Sequence, residues 1–167
     1  MLDGVRLKET DILGELNKGF YIAMDTLAGG RIGIASQAVG IGQACLDASV
    51  KYSQEREQFG KPIGHFQAIQ HKLADMSAKL EASRLLVRKA AWLRDRGEDC
   101  NRQASEAKMF ASQTCNFCAD EALQIHGGAG YTDHFHIERL FRDARITEIY
   151  EGATDIQRLV IARALMA

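Results

Sequence analysis

The sequence predicts an all-α fold, an antiparallel four-helix bundle with a short extended N-terminal lead-in. Three observations carry that prediction. Pro62 is the single proline in 167 residues. Helix-favouring residues dominate from about residue 15 onward. Apolar residues recur at helical spacing over residues 31–126, broken only by short glycine-containing turns.

The elements follow in order. Val5, Leu7, Ile12 and Leu13 sit among charges without helical period, which reads as a strand remnant or an extended lead-in. Residues 17–27 form a short helical segment, ended or bent at Gly29-Gly30. Residues 31–55 are apolar on most faces and rich in Ala and Gly, as suits a central helix packed closely on its neighbours. FGKPIG (59–64) breaks the pattern. From 66 to 96 a stripe runs through Ile69, Leu73, Met76, Leu80, Val87 and Ala90, and glycine follows at its end, after Arg96. Residues 102–126 repeat the stripe at Ala104, Ala107, Ala111, Cys118, Ala122 and Ile125. After GGAG (127–130) comes a charged helix to about Arg145. The last helix opens at Thr154, spaced from Gln157 as in a capping box, with Ile156, Leu159 and Val160 expected inward.

Composition narrows the function. Apolar residues make up 46% of the chain, a globular value, and 21 basic residues balance 22 acidic ones. Binding of nucleic acid through bulk charge is therefore not expected. No apolar run is long enough for a membrane span, and the opening residues lack a signal-peptide core. Cys45, Cys100, Cys115 and Cys118 are spaced like neither a disulfide framework nor a zinc site, so buried, reduced helix cysteines in an intracellular protein are expected. His134 and His136 have no third ligand in view, and no metal is expected.

Three segments could carry chemistry. Glu151, in IYEGAT, sits in a break between helices with apolar neighbours that keep water off a carboxylate, which makes a carboxylate a stronger base. Gly152 leaves room for a ligand beside the backbone. An ordinary exposed linker glutamate fits the same text. Gln124, Ile125, His126, Gly127 and Gly128 end a helix in glycines whose N–H groups could face an anion, or could simply terminate the helix. Arg56, before Phe59 and a sharp turn, could clamp a phosphate with its fork of donors. Arg56 could equally cap its helix over a buried Phe59. Arg139, Arg142 and Arg145 form a ridge near Glu138, Asp143 and Glu148, which favours a salt-bridged face or interface over ligand binding.

Taken together, GGRIGIASQAVGIGQACLDASVKYSQEREQFGKPI, FQAIQHKLADM, LQIHGGAGY and RDARITEIYEGATDIQRLVIARAL, in this order, resemble the C-terminal helical domain of acyl-CoA dehydrogenases. The likeness is nearest the short-chain, butyryl-CoA type and runs from about Val5 to Leu165. It implies that residues 1–14 are the tail of a middle β-domain and that 15–167 form the C-terminal bundle. It implies FAD as cofactor and an acyl-CoA thioester as substrate. Glu151 matches the base that takes the pro-R α-proton while the β-hydride passes to flavin N5. Arg31, at the start of the substrate-binding helix, and Gly152, beside the thioester, match substrate contacts. Arg56, Gln67 and the loop Gln124, Ile125, His126, Gly127 and Gly128 match residues that reach the flavin of a neighbouring subunit. Thr154 and Asp155 match contacts to the chain's own flavin.

The resemblance further implies a homo-oligomer, in the parent a tetramer, and an electron-transfer flavoprotein as electron acceptor. Localisation would be cytoplasmic in a bacterium or the mitochondrial matrix in a eukaryote. Three positions depart from the pattern: Ala28 replaces an aspartate on the CoA side, Ala153 replaces a threonine, and His126 replaces an apolar residue. Some relatives carry their base immediately before the arginine, where this chain has Gly30, so Glu151 is the expected base. An acyl-CoA oxidase, a reductase-type relative and a non-catalytic assembly domain are the rival expectations.

Overall fold

A computed structural model describes residues 3–167; Met1 and Leu2, at the start of the expected lead-in, lie outside the described residues. Five helices make up most of it: α1 (Gly19–Glu55), α2 (Gln67–Asp95), α3 (Asn101–His126), α4 (Ile137–Ile146) and α5 (Thr154–Met166). The lead-in is extended apart from a 3-10 turn at Glu9–Asp11, and Val5, Leu7 and Leu13 are exposed.

The packing directions follow from the contacts. Arg31 of α1 bonds Asn101 of α3, and Tyr52 of α1 stacks on His126 of α3, so these two helices run parallel. Between them α2 runs the other way, which brings Arg94 back beside Gly29. α4 returns along α3, where Asn116 Nδ2 donates to the Ala144 carbonyl at 3.1 Å. α3 is the central post. One face carries Ala104, Ala107, Ala111, Cys115, Cys118 and Ala122, all buried. Small side chains let helix axes approach closely, and larger ones fill the gaps: Leu80 packs so near Gly42 that a Cβ there would meet Leu80 Cδ2 at 2.7 Å.

Several expectations are corrected. Gly29 and Gly30 do not end a helix; α1 runs through them for 37 residues. Each glycine costs an exposed helix about 1 kcal/mol, but a helix packed along its length carries that cost. A small antiparallel hairpin, β1 (Glu57–Gln58) with β2 (Lys61–Pro62), adds sheet where none was expected. Phe59 at its tip is 91% exposed, not buried. The capping box at Thr154 does not form, because Thr154 Oγ1 bonds the Glu148 carbonyl and Gln157 turns toward residues 151 and 152. On α5 it is Gln157 that is buried, while Ile156 and Leu159 are exposed. The cysteines are free and buried as expected. Two of the three ridge arginines are ion-paired, Arg142 to Glu138 at 2.5 Å and Arg145 to Glu148, while Arg139 is exposed and makes no ion pair among the described residues. No helix among the described residues is long and apolar enough to cross a membrane, and no group of three metal-ligating side chains occurs among them.

Candidate active site

The break between α4 and α5 is short and strained. Glu151 has φ +52° and Gly152 φ +90°, two successive residues in the region that disfavours L side chains. A glycine accepts such a backbone freely; a glutamate at this φ costs about 1–3 kcal/mol and persists only where its surroundings hold it. The holding groups are both fully buried. Lys108 Nζ, from α3, donates to the Gly152 carbonyl at 2.8 Å. Gln157 Nε2, from the first turns of α5, donates to that carbonyl at 2.9 Å and to the Glu151 carbonyl at 3.2 Å.

This turn projects the Glu151 side chain onto α1. Its carboxylate lies over Gly30, and any Cβ at position 30 would overlap Oε2. Gly30 is therefore glycine because the carboxylate occupies its side-chain space. Next along α1, Arg31 is 6% exposed and donates from one terminal nitrogen to Asn101 Oδ1 at 2.7 Å and Ser105 Oγ at 3.3 Å. Burial pushes its guanidinium below the usual arginine range, and the Glu151 charge opposes that. Burial likewise lowers the Lys108 ammonium; Glu148 opposes this, Arg31 adds to it, and Glu151 opposes it. Two buried cations thus stand beside a half-buried carboxylate, whose apolar neighbour Ile149 is exposed and does not shield it from water as expected. Beside Glu151, the Tyr150 hydroxyl donates to Gln37 Oε1 at 2.5 Å.

A cavity of about 440 Å³ lies beside the same stretch of α1, lined by Met24, Asp25, Ala28, Arg94 and Asn101 among others. Arg31 Nε and Gln157 Oε1 are buried without a hydrogen-bond partner, and both belong to residues that flank Glu151. Such orphans are uncommon in a protein interior.

The remaining predicted residues fall in two further places. Thr154 and Asp155, at the start of α5, line a cavity of about 280 Å³ with Glu148 and Ile149. At the opposite end of the bundle Gln124, Gly127 and Gly128 are exposed and line a cavity of about 250 Å³. Gly127 there has φ +58°. Ile125 and His126 of the same loop turn inward instead: His126 is 4% exposed, stacks on Tyr52 with ring centroids 4.3 Å apart, and bonds the Ala122 carbonyl at 2.8 Å. Arg56 is the exposed residue that ends α1, and Gln67 is the exposed first residue of α2. The rise along α1 puts Arg56 about 39 Å from Gly30. The structure gathers Arg31, Glu151 and Gly152 and leaves Arg56, Gln67 and the 124–128 loop at the far end.

Sequence reasoning missed Lys108, Gln157, Asn101 and Ser105. A trace of them was present: Asn101, Ser105, Lys108 and Ser112 recur at spacings of four, three and four, a polar line along a helix otherwise packed with alanine.

The family model for the acyl-CoA dehydrogenase C-terminal domain matches residues 17–166. The chain is 52% identical over 166 residues to a 3-(aryl)acrylate reductase of Clostridium sporogenes, covering 99% of this chain and 44% of that protein. It is 47% identical over 166 residues to a subunit of the caffeyl-CoA reductase-Etf complex of Acetobacterium woodii, with the same coverage of 99% and 44%. The solved butyryl-CoA dehydrogenase of Megasphaera elsdenii superposes with a TM-score of 0.95 at 47% identity, over 96% of this chain and 42% of that one. The chain thus spans less than half the length of the relatives it matches.

Proposed function

Because the chain belongs to the acyl-CoA dehydrogenase family, as its C-terminal domain, we propose that it serves the FAD-dependent α,β-dehydrogenation of an acyl-CoA thioester, with Glu151 as the base. The observation that carries this reading is the carboxylate of Glu151, held over Gly30 by a strained turn beside buried Arg31.

The residues divide the work. Glu151 takes the α-proton. The turn holds its carboxylate half-buried against α1, where a thioester laid beside Gly152 would come within reach of it. Gly152 leaves space for the thioester beside the turn. Arg31 contributes positive charge without solvent to screen it, which opposes the negative charge that develops as the proton leaves. The cavity beside Ala28 and Arg94 gives part of the acyl-CoA room along α1.

The donor set fits FAD. Thr154, Asp155 and the N-terminus of α5 face one cavity, Gln124 and the exposed Gly127-Gly128 backbone face another, and Arg56 offers a free guanidinium edge. Thr154 and Asp155 would hold the chain's own FAD; Arg56, Gln67, Gln124 and the Gly127-Gly128 backbone would hold that of a partner subunit, while Ile125 and His126, expected to join them, pack inward instead. The distance of about 39 Å along α1 supports this division, since one flavin cannot touch both ends. When bound, FAD supplies the acceptor for the hydride. A homo-oligomer is proposed on the same division, and a tetramer in the parent protein on the family resemblance. An electron-transfer flavoprotein is proposed as the onward acceptor, a reading supported by the Etf complex to which one relative belongs. Residues 1–14 are proposed as the end of a preceding β-domain and 15–167 as the helical domain proper. The isolated chain is proposed to be inactive.

Glu151→Gln in the full-length enzyme tests the assignment. The amide is nearly isosteric, so flavin and acyl-CoA binding are expected to persist while flavin reduction by substrate slows by about 10² to 10⁴-fold. Reduction at the normal rate would remove Glu151 from the mechanism.

A second reading concerns direction. Two of the relatives above carry reductase names. The same residues serve reduction of an enoyl-CoA, with Glu151 returning the α-proton. Comparing turnover of an acyl-CoA by oxidised enzyme with turnover of an enoyl-CoA by reduced enzyme separates the two.

A further inference from the structure

A lysine whose side chain is fully buried needs a reason. Lys108 has 0% exposure, in the middle of α3, among Ala104, Ala107, Ala111 and Ser112. An ammonium in such a place loses its hydration, and an apolar side chain of similar length would fill the space without that cost. Its hydrogen bond to protein is the one to the Gly152 carbonyl, 2.8 Å away. That carbonyl already accepts from Gln157 Nε2 at 2.9 Å, so it would keep a partner without Lys108. Fold stability alone therefore does not account for the lysine.

Its placement does. Asn101, Ser105 and Lys108 lie on one line of α3. The first two hold Arg31, the neighbour of Gly30. The third holds Gly152, the neighbour of Glu151. One helix face therefore fixes both sides of the contact between the Glu151 carboxylate and Gly30. The turn it fixes carries two successive positive φ angles, a backbone that relaxes when a restraint is removed.

We infer that Lys108 is a positioning residue for the proton transfer: by gripping the Gly152 carbonyl it keeps the Glu151–Gly152 turn in register, so that the carboxylate stays over Gly30. This rests on the reading of Glu151 as the base. Burial of the ammonium and the opposing charges of Glu148 and Glu151 agree with it. Lys108 itself reaches no substrate, since none of its surface is exposed.

The test is Lys108→Met in the full-length flavoprotein, read beside Glu151→Gln. Methionine fills much of the same space and removes the donor. The expected result is normal flavin content and an unchanged or slightly raised melting temperature. With these, kcat per bound flavin should fall by about 10- to 100-fold, as a displacement near 1 Å can cause, while KM for the acyl-CoA holds within about threefold. Substrate α-proton exchange should fall in parallel. A wild-type kcat per flavin in Lys108→Met, with Glu151→Gln inactive, overturns the inference and leaves the base assignment standing. A normal rate in Glu151→Gln overturns both. If Lys108→Met yields no flavoprotein, Lys108→Gln, which keeps a short donor, is read by the same criteria. Loss of folded flavoprotein in both variants makes Lys108 a residue of the fold and overturns the inference.

Discussion

The Glu151 carboxylate lies against the bare α-carbon of Gly30, and each residue explains the other. A side chain at position 30 and a carboxylate arriving from position 151 compete for one volume. Gly30→Ala forces the carboxylate aside, while alanine improves helix propensity by about 1 kcal/mol. The expected outcome is a melting temperature at or above that of the parent, with flavin reduction slowed by about 10- to 100-fold. Thermal unfolding and stopped-flow absorbance measure the two halves. A variant that is both slower and less stable would contradict this account.

Gly152→Ala makes the complementary change. The new Cβ would meet Gln157 Nε2 at 2.5 Å and would sit at a φ of +90°. Destabilisation of about 1–3 kcal/mol is expected from the backbone alone. Urea unfolding with an unchanged slope would register it as a shift in midpoint.

His126 ties stability to pH. Burial pushes its imidazole below the usual histidine range, although the bond to the Ala122 carbonyl works against this. The unfolded chain then binds a proton more readily than the folded one. Stability contributed by the neutral ring is present above the unfolded pKa of about 6.5 and is lost as pH falls through the depressed folded value. His126→Phe, which keeps a ring for Tyr52 and Phe135 to pack on, should flatten the decline in melting temperature below pH 6.5.

The cysteines should be silent in the folded protein. Burial pushes Cys45 and Cys118 up to about 12 and raises Cys115 as well. At pH 8 only about one such thiol in ten thousand is a thiolate. Labelling of these three by a thiol reagent should therefore proceed no faster than unfolding, and become rapid in denaturant. Fast labelling of Cys118 in native protein would show that α3 opens locally.

Exposed apolar side chains predict association. Phe20, Tyr21, Ile156, Leu159, Leu165 and Met166 all stand in solvent in the single chain. Apolar exposure on this scale marks surfaces built for a partner. Light scattering should find oligomers at micromolar concentration, and Leu159→Lys should shift the distribution toward monomer.

Much of this was legible in the sequence where one face of a helix is apolar. The stripe from Ile69 to Ala90 and the one from Ala104 to Ile125 place α2 and α3 within a residue at either end. The reading failed where a neighbour overrode a local rule. Gly29-Gly30 looked like a helix end because glycine disfavours helix, yet packing carries α1 through it and Glu151 needs the vacancy at 30. Ile156 and Leu159 looked inward because apolar residues usually are, but the buried face of α5 carries Gln157 and leaves both exposed. Of the residues gathered at the α4–α5 turn, Glu151 and Gly152 were singled out from the IYEGAT text and Arg31 from the family resemblance. Lys108 and Gln157 were not, because a polar residue on a helix reads as solvated until tertiary structure buries it.

The continuity of α1 has a mechanical consequence. A helix without a break transmits rotation as a lever does, and over about 39 Å a tilt of one degree moves the far end by about 0.7 Å. Near Gly30 the helix seats the carboxylate, and at Arg56 it runs into the hairpin. A tilt imposed at the hairpin end is thus geared to the seat of the Glu151 carboxylate, so that under the proposed reading a partner's fit there would adjust the proton-transfer distance.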